Sequence, residues 1–185
     1  MPSWTASTLA AQSLCRLAWQ NVVLEASAPC PKVLLLGDTA AVLKALPKSV
    51  GVPLDPNTVV RTAGLGACLW LRPTQRLLLL SGTGDARRTA AQIRAMNAPD
   101  AWALDAGARY VEFEVSGRGA GAVLNAGCSL DLRDAAFPVD TCAQSRFDQI
   151  PVLLLRSSPE RFEILAERPL APHLWLWLRR AASNT

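Results

Sequence analysis

From Tyr110 to Val115 the chain alternates cleanly. Val111, Phe113 and Val115 fall on one side and Glu112 and Glu114 on the other, the period-two pattern of a strand with one wetted face. Phe162-Glu163-Ile164 repeats the pattern, and Cys128, Leu130 and Leu132 alternate with Ser129, Asp131 and Arg133, which predicts a further antiparallel strand. Lys32 to Leu36 is a strand-like run that meets Gly37-Asp38. Behind it Val42, Leu43 and Leu46 share a helical face that Asp38 or Thr39 can cap and Pro47 ends. The apolar runs Ala67 to Leu71 and Arg76 to Leu80 flank Arg72-Pro73-Thr74-Gln75 and read as a hairpin. Ser81-Gly82-Thr83-Gly84 turns the chain, and Asp85 caps a helix striped by Ala86, Ala90 and Ile93. A last helix is predicted from about Pro169 to Ala182, with Leu170, Leu174, Trp177 and Leu178 on one side and Trp175 and Leu176 broadening the stripe.

The order of these elements repeats at a spacing of roughly 80 residues, the mark of a duplicated unit. The strand, glycine turn and short helix around Gly37 are answered by Val111–Val115, Ser116-Gly117-Arg118 and Ala120–Gly127. Trp70–Leu77 is likewise echoed by Leu154–Phe162. Each half reads strand, short helix, several strands, longer helix. The fold class predicted is therefore α+β, with helices packed on a largely antiparallel sheet. Residues 1–31, which end in Ala28-Pro29-Cys30-Pro31, read as an extended N-terminal arm. Residues 32–185 read as one domain of two similar halves, about 32–100 and 101–182.

Composition narrows the function classes. A chain of 185 residues can bury roughly 70% of its unfolded surface, so a substantial core needs neither metal nor disulfide. The net charge of +4 comes from Lys and Arg scattered among Asp and Glu, which argues against nucleic-acid binding. No apolar stretch approaches the roughly 20 residues that span a bilayer. The N-terminal residues, interrupted by Gln12, Arg16 and Gln20, make a poor signal peptide. Cys15, Cys30, Cys68, Cys128 and Cys142 form no C-x-x-C pair and read as reduced, mostly buried thiols, consistent with a cytoplasmic protein.

Several motifs imitate chemistry. Gly117-Arg118-Gly119-Ala120-Gly121 follows a strand and opens a helix, as a dinucleotide phosphate loop would, but its third glycine comes one position early and Gly127 stops the helix. It reads as a tight strand-to-helix turn. Ser81-Gly82-Thr83-Gly84 lacks the lysine of a P-loop. His173, the single histidine, lies amid Pro172, Leu174 and Trp175 with no nucleophile motif and reads as a surface or helix-start residue. Asp131, Asp134 and Asp140 read as a solvated edge and turn. Trp4, Trp19, Trp70, Trp102, Trp175 and Trp177 suit core packing or a protein interface, since they do not interleave with basic residues. No catalytic, cofactor-binding or metal-binding residue is expected in this chain.

Once these residues are laid out, the chain resembles the gamma subunit family of heterotetrameric sarcosine oxidase, most strongly from Tyr110 to Leu178. The likeness lies in Ala126-Gly127-Cys128-Ser129-Leu130-Asp131-Leu132, the Phe137-Pro138 turn, the strand Val152–Arg156, the Phe162-Glu163-Ile164-Leu165 strand and the Leu174-Trp175-Leu176-Trp177-Leu178 helix. It extends to Pro47–Leu80 and Ala103-Leu104-Asp105. The resemblance implies two interlocked α+β units, as in the folate-binding domain of aminomethyltransferases. It implies a non-catalytic small subunit of a complex that oxidatively demethylates an N-methyl amine with folate as one-carbon acceptor. Alpha-, beta- and delta-like partners would carry NAD, tetrahydrofolate, FAD, FMN and zinc. The competing reading is a stand-alone folate-binding protein with Asp105 near the one-carbon centre. The chain departs from the family pattern at Arg72-Pro73-Thr74-Gln75-Arg76, where Gly-Pro-Asp-Glu-Trp is usual, at Ala106-Gly107, and at Arg168-Pro169.

Overall fold

The structure, a computed structural model, describes residues 16–80, 88, 91–93, 95 and 98–184. Ser81–Gly84, the Asp85 cap, Ala86, Ala90, Trp4 and Cys15 lie outside these residues. The chain divides into two compact units. One is Cys30–Ala108, and the other joins the chain up to Pro29 with the chain from Arg109 onward.

In the unit Cys30–Ala108 a five-stranded sheet contains β3 (Lys32–Leu36), β4 (Val59–Thr62), β5 (Gly66–Arg72), β6 (Gln75–Leu80) and β7 (Trp102–Asp105). Its order is β4-β5-β6-β3-β7, antiparallel throughout. Helix α1 (Thr39–Ala45) follows β3 directly. Asp38 caps it by accepting the Ala41 N–H at 2.7 Å, and the chain leaves helical geometry at Leu46, just before Pro47. Val42 and Leu46 pack with Val33, Leu35, Leu78, Leu80 and Ile93 on one face of the sheet. The predicted hairpin is β5 and β6, with a register shift between Trp70 and Arg72.

The other unit repeats this plan. Its strands are β1 (Arg16–Ala18), β2 (Val23–Ala26), β8 (Tyr110–Ser116), β9 (Cys142–Phe147), β10 (Ile150–Ser158) and β11 (Arg161–Glu167). They lie in the order β1-β2-β8-β11-β10-β9, again all antiparallel. Read from the far edge, β9-β10-β11-β8 matches β4-β5-β6-β3 strand for strand. The hairpin β10–β11 even carries its register shift at the equivalent place, between Arg156 and Ser158. Helices α2 (Ala120–Asn125) and α3 (Ala171–Ser183) complete the unit. This is the α+β, antiparallel, duplicated architecture that the alternation predicts.

The strand preceding each repeat is exchanged. β2 comes just before β3 in the chain yet pairs with β8, and β7 comes just before β8 yet pairs with β3. Residues 16–26 of the extended arm thus become two strands of the sheet that contains β8, and Trp102–Asp105 forms the edge of the sheet that contains β3.

Two sequence expectations change in detail. Cys128 to Arg133 is not a strand, since only Cys128 bridges to Phe147. The Asp131 carboxylate accepts the Arg133 N–H at 3.1 Å, which curls the chain into a turn even though Cys128 and Leu132 are both buried. On α3 the buried stripe is Ala171, Leu174, Trp175, Leu178 and Ala182, whereas Leu170 and Leu176 are exposed. Trp175 stacks on Phe113 with centroids 5.5 Å apart, and Trp177 meets the edge of Phe147 at 4.5 Å.

Two glycines, one in the turn before α2 and one inside that helix, lead to opposite expectations. Gly117 has φ +103°, and a Cβ there would lie 2.4 Å from the Asn21 carbonyl oxygen. A Cβ on Gly121, inside α2, would meet nothing within 4 Å. Gly117→Ala is expected to cost about 1–3 kcal/mol from strain of this kind, and Gly121→Ala to add about 0.5–1 kcal/mol of stability. Urea denaturation of both variants checks the pair, and two equal shifts would contradict this account of the turn.

Candidate functional site

The glycine turn that imitates a phosphate loop has its backbone donors engaged. Gly117 N–H reaches Glu160 O at 2.9 Å, Gly119 N–H reaches Asn21 O at 3.0 Å, and Ala120 N–H reaches Gly117 O at 2.9 Å. The turn after β3 is built alike, with Gly37 at φ +132° donating to Thr74 O at 3.1 Å. Both glycines hold the strand-to-helix turn against the tip of the neighbouring hairpin. The sequence reading of a tight turn therefore describes the geometry.

The three aspartates do not converge. Asp131 pairs with Arg133, and hydrogen bonds from the Arg133 side chain and backbone hold its carboxyl well below the usual range, at about 2. Asp134 caps the Arg156 guanidinium, and Asp140 sits at φ 60° in a turn where its N–H donates to Arg156 O at 2.9 Å. His173 is exposed in the first turn of α3. Asp105 is exposed at the end of β7, where its Oδ1 accepts the Gly107 N–H at 2.8 Å. Among the described residues no three His, Cys, Asp or Glu side chains come together as metal ligands, and no helix is long and apolar enough to cross a membrane.

Sequence reasoning missed the two buried arginines. Arg76 is 1% exposed. Its Nη1 donates to Arg72 O (2.6 Å), Gln75 O (3.1 Å) and Pro73 O (3.2 Å), its Nε to Pro53 O (3.1 Å), and its Nη2 to Thr39 Oγ1 (2.9 Å). Arg156 is 4% exposed. It donates to Phe137 O (2.8 Å), Leu132 O (3.4 Å), Pro159 O (2.6 Å) and Ser158 O (3.3 Å), besides Asp134. Each guanidinium therefore ties a hairpin tip to the loop between the short helix and the next strand. Each also lies over the aromatic ring directly across the hairpin, Arg76 over Trp70 and Arg156 over Phe162. Burial pulls the Arg76 pKa below its ordinary value, an effect the Cys68 thiol partly opposes, and the five-donor fork suits a cage of carbonyls. The departure at Arg72–Arg76 thus has a structural role, because Arg76 organises the turn whose carbonyls surround it. One sequence signal was available: an Arg and an aromatic occupy facing hairpin positions in both echoes.

β7 is one of the two edge strands of the sheet in Cys30–Ala108. On β7, Trp102 is 58% exposed and Leu104 is 50% exposed, on the same face of the strand. Beside it Leu35, Val42, Leu46, Ile93, Ala101 and Trp102 help to line an apolar dimple of about 10 Å³, room for one water. An edge strand with exposed aromatic and aliphatic side chains is a surface that another chain can cover. Trp175 and Trp177 serve the core, as the sequence allows.

Arg156→Met is expected to destabilise the chain by about 3–5 kcal/mol, since its removal strands buried carbonyls. Asp134→Asn, at a carboxylate 84% exposed, should cost under about 1 kcal/mol. Thermal denaturation of both separates the two roles, and equal losses would contradict the assignment. Asp131 is depressed in the folded state, so whatever its pair contributes is present above the ordinary carboxylate pKa and is lost as pH falls through about 2. An NMR titration of the carboxyl should find its midpoint there, and Arg133→Ala should return it toward the ordinary value.

Comparison with known proteins adds family. Residues 37–184 match the sarcosine oxidase, gamma subunit family. The chain is 31% identical to a sarcosine oxidase subunit gamma of Corynebacterium sp. strain P-1 over 148 residues, 80% of this chain and 71% of that one. It is 31% identical to that of an Arthrobacter species over 140 residues, 75% and 66% of the two chains. Among solved structures it is similar to a chain of heterotetrameric sarcosine oxidase from Corynebacterium sp. U-96 in complex with pyrrole 2-carboxylate, with a TM-score of 0.81 and 26% identity. That match covers 97% of this chain and 93% of the other. A glycine cleavage system aminomethyltransferase from Bartonella henselae shares the fold, with a TM-score of 0.58 and 17% identity over 80% of this chain and 42% of that one.

Proposed function

The chain belongs to the sarcosine oxidase gamma subunit family, and on that premise we propose that it is the small, non-catalytic subunit of a sarcosine oxidase-like complex. The complex oxidatively demethylates an N-methyl amine, with folate accepting the one-carbon unit. An alpha-like subunit is the main partner and carries NAD and tetrahydrofolate. A beta-like subunit carries the flavins FAD and FMN, a delta-like subunit completes a cytoplasmic assembly, and zinc is held in subunits other than this one. The observation that carries this reading is the likeness, over nearly the whole of both chains, to a chain of a heterotetrameric sarcosine oxidase.

The acids that could have supplied chemistry are engaged elsewhere, Asp131 and Asp134 by arginines and Asp105 by a backbone N–H. What the chain offers is a surface, and the Trp102 and Leu104 edge is where a partner subunit would bury the most apolar area.

The test is co-expression of the tagged chain with candidate alpha-, beta- and delta-like subunits, reading flavin absorbance in the eluate. Co-elution with a flavoprotein is expected, together with a colourless chain when it is expressed alone. Replacing Trp102 and Leu104 by Ser should leave the circular dichroism of the free chain unchanged and reduce co-elution at least about tenfold, the scale of one hot-spot loss. Tight binding of tetrahydrofolate by the isolated chain would overturn the subunit reading in favour of a stand-alone folate protein.

A further inference from the structure

Strand β7 ends its sheet and pairs with β3 alone among the described strands. The bond from Ala106 N–H to Lys32 O at 2.8 Å sets the alternation of that ladder. Counting back along it, Leu104 opposite Leu34 and Trp102 opposite Leu36 turn their N–H and C=O toward β3, and Ala103 between them turns both groups away. The side chains alternate as well. Ala101 and Ala103 border the apolar dimple on the face that carries Val42 and Leu46, whereas Trp102 and Leu104 stand exposed on the other face. Both ends of the strand are acidic and exposed. Asp105 closes it, Asp100 lies just before it, and Asp38 adjoins Gly37, where a Cβ would lie 2.5 Å from Asp100 O.

We propose that β7 receives an added strand from a partner subunit, an extended segment with apolar side chains on both faces and a Lys or Arg at each end. This rests on the subunit reading above and adds how the partner is held. The outward N–H and C=O of Ala103 pair with the backbone of the incoming strand, which a helix, with its own backbone groups already bonded, cannot offer. The residue opposite Ala103 shares its face and sets a small aliphatic side chain against the dimple, and its two neighbours cover Trp102 and Leu104. The acidic ends select the occupant. In a second copy of this chain, antiparallel pairing centred on Ala103 would set Asp105 opposite Ala101, one residue from Asp100, and crowd acids at both ends. A foreign strand with basic ends turns that repulsion into attraction.

The experiment co-expresses the tagged full chain with candidate alpha-, beta- and delta-like subunits, as wild type, Ala103→Pro and Ala103→Ser. Proline removes the outward N–H while every β3–β7 bond stays in place, and serine keeps the donor. Ala103→Pro is expected to cut co-elution at least about tenfold with the circular dichroism of the free chain unchanged, and Ala103→Ser to co-elute as wild type does. Asp100→Lys should lower co-elution at low salt by about two- to fivefold. If Ala103→Pro does not fold, hydrogen exchange of the wild-type chain decides. The Ala103 amide should exchange at least about tenfold more slowly in the complex than in the free chain, with the Trp102 and Leu104 amides slow in both. Equal co-elution of wild type and Ala103→Pro, or an Ala103 amide equally fast in the complex, overturns the added strand and leaves the subunit reading standing. A wild-type chain that co-elutes with no subunit overturns the subunit reading and the added strand with it. An unchanged Asp100→Lys variant overturns the basic ends. A free chain that dimerises, with a monomeric Ala103→Pro variant, gives the edge to a second copy and overturns the foreign strand.

Discussion

A buried guanidinium surrounded by carbonyl oxygens holds each unit together where its connections meet. A hairpin tip and the loop between helix and strand both end in backbone acceptors that face inward, away from water. Each such acceptor left unpaired would cost about 1–3 kcal/mol. Arg76 gathers Arg72 O, Pro73 O, Gln75 O and Pro53 O, and Arg156 gathers Phe137 O, Leu132 O, Pro159 O and Ser158 O. The two are not on equivalent strands, because one starts the second strand of its hairpin and the other ends the first. Their aromatic covers, Trp70 and Phe162, swap in the opposite sense. What the duplication preserves is the pair, since either strand can supply the cation as long as the facing residue supplies the ring.

The exchanged strands impose a second constraint, which explains the glycines. Asn21 lies just before β2 and Asp100 just before β7. A Cβ on Gly117 would lie 2.4 Å from Asn21 O, and one on Gly37 would lie 2.5 Å from Asp100 O. In each repeat the chain entering the exchanged strand runs over the turn at the end of the strand it pairs with, β3 or β8, so only a glycine fits below it. The positive φ at both positions adds to the requirement. A glycine-rich turn that suggests nucleotide binding in the sequence is, in the fold, the place where one backbone passes over another.

Local signals in the sequence carried most of the elements, and distant partners accounted for what it hid. Asp38 before an apolar helical stripe, Pro47 after it, and a four-residue polar gap between apolar runs each act within a few residues, and α1 and the β5–β6 hairpin follow from them. The alternation at Cys128–Arg133 was equally clear, yet Asp131 bonded to the backbone two residues ahead and turned the chain instead. Nothing near β2 or β7 says that each pairs with a strand of the other repeat, because antiparallel pairing leaves no local trace. Arg76 and Arg156 sit in polar turn sequences where an exposed arginine is the ordinary expectation. Their burial became visible only when the carbonyls they bind, up to 24 residues away, were brought to them.

The same reasoning bears on function. Among the described residues Asp131 and Asp134 are bound to arginines, Asp105 to a turn N–H, and Arg76 and Arg156 to carbonyls. Trp102 and Leu104 are two of the large apolar side chains left exposed, and they stand on β7, one of the two edge strands of its sheet. The family match and the likeness to a chain of a heterotetrameric sarcosine oxidase support other subunits as partners. Family membership therefore points to a subunit, and Leu104 belongs both to the residues that carry the resemblance and to the exposed side chains of β7.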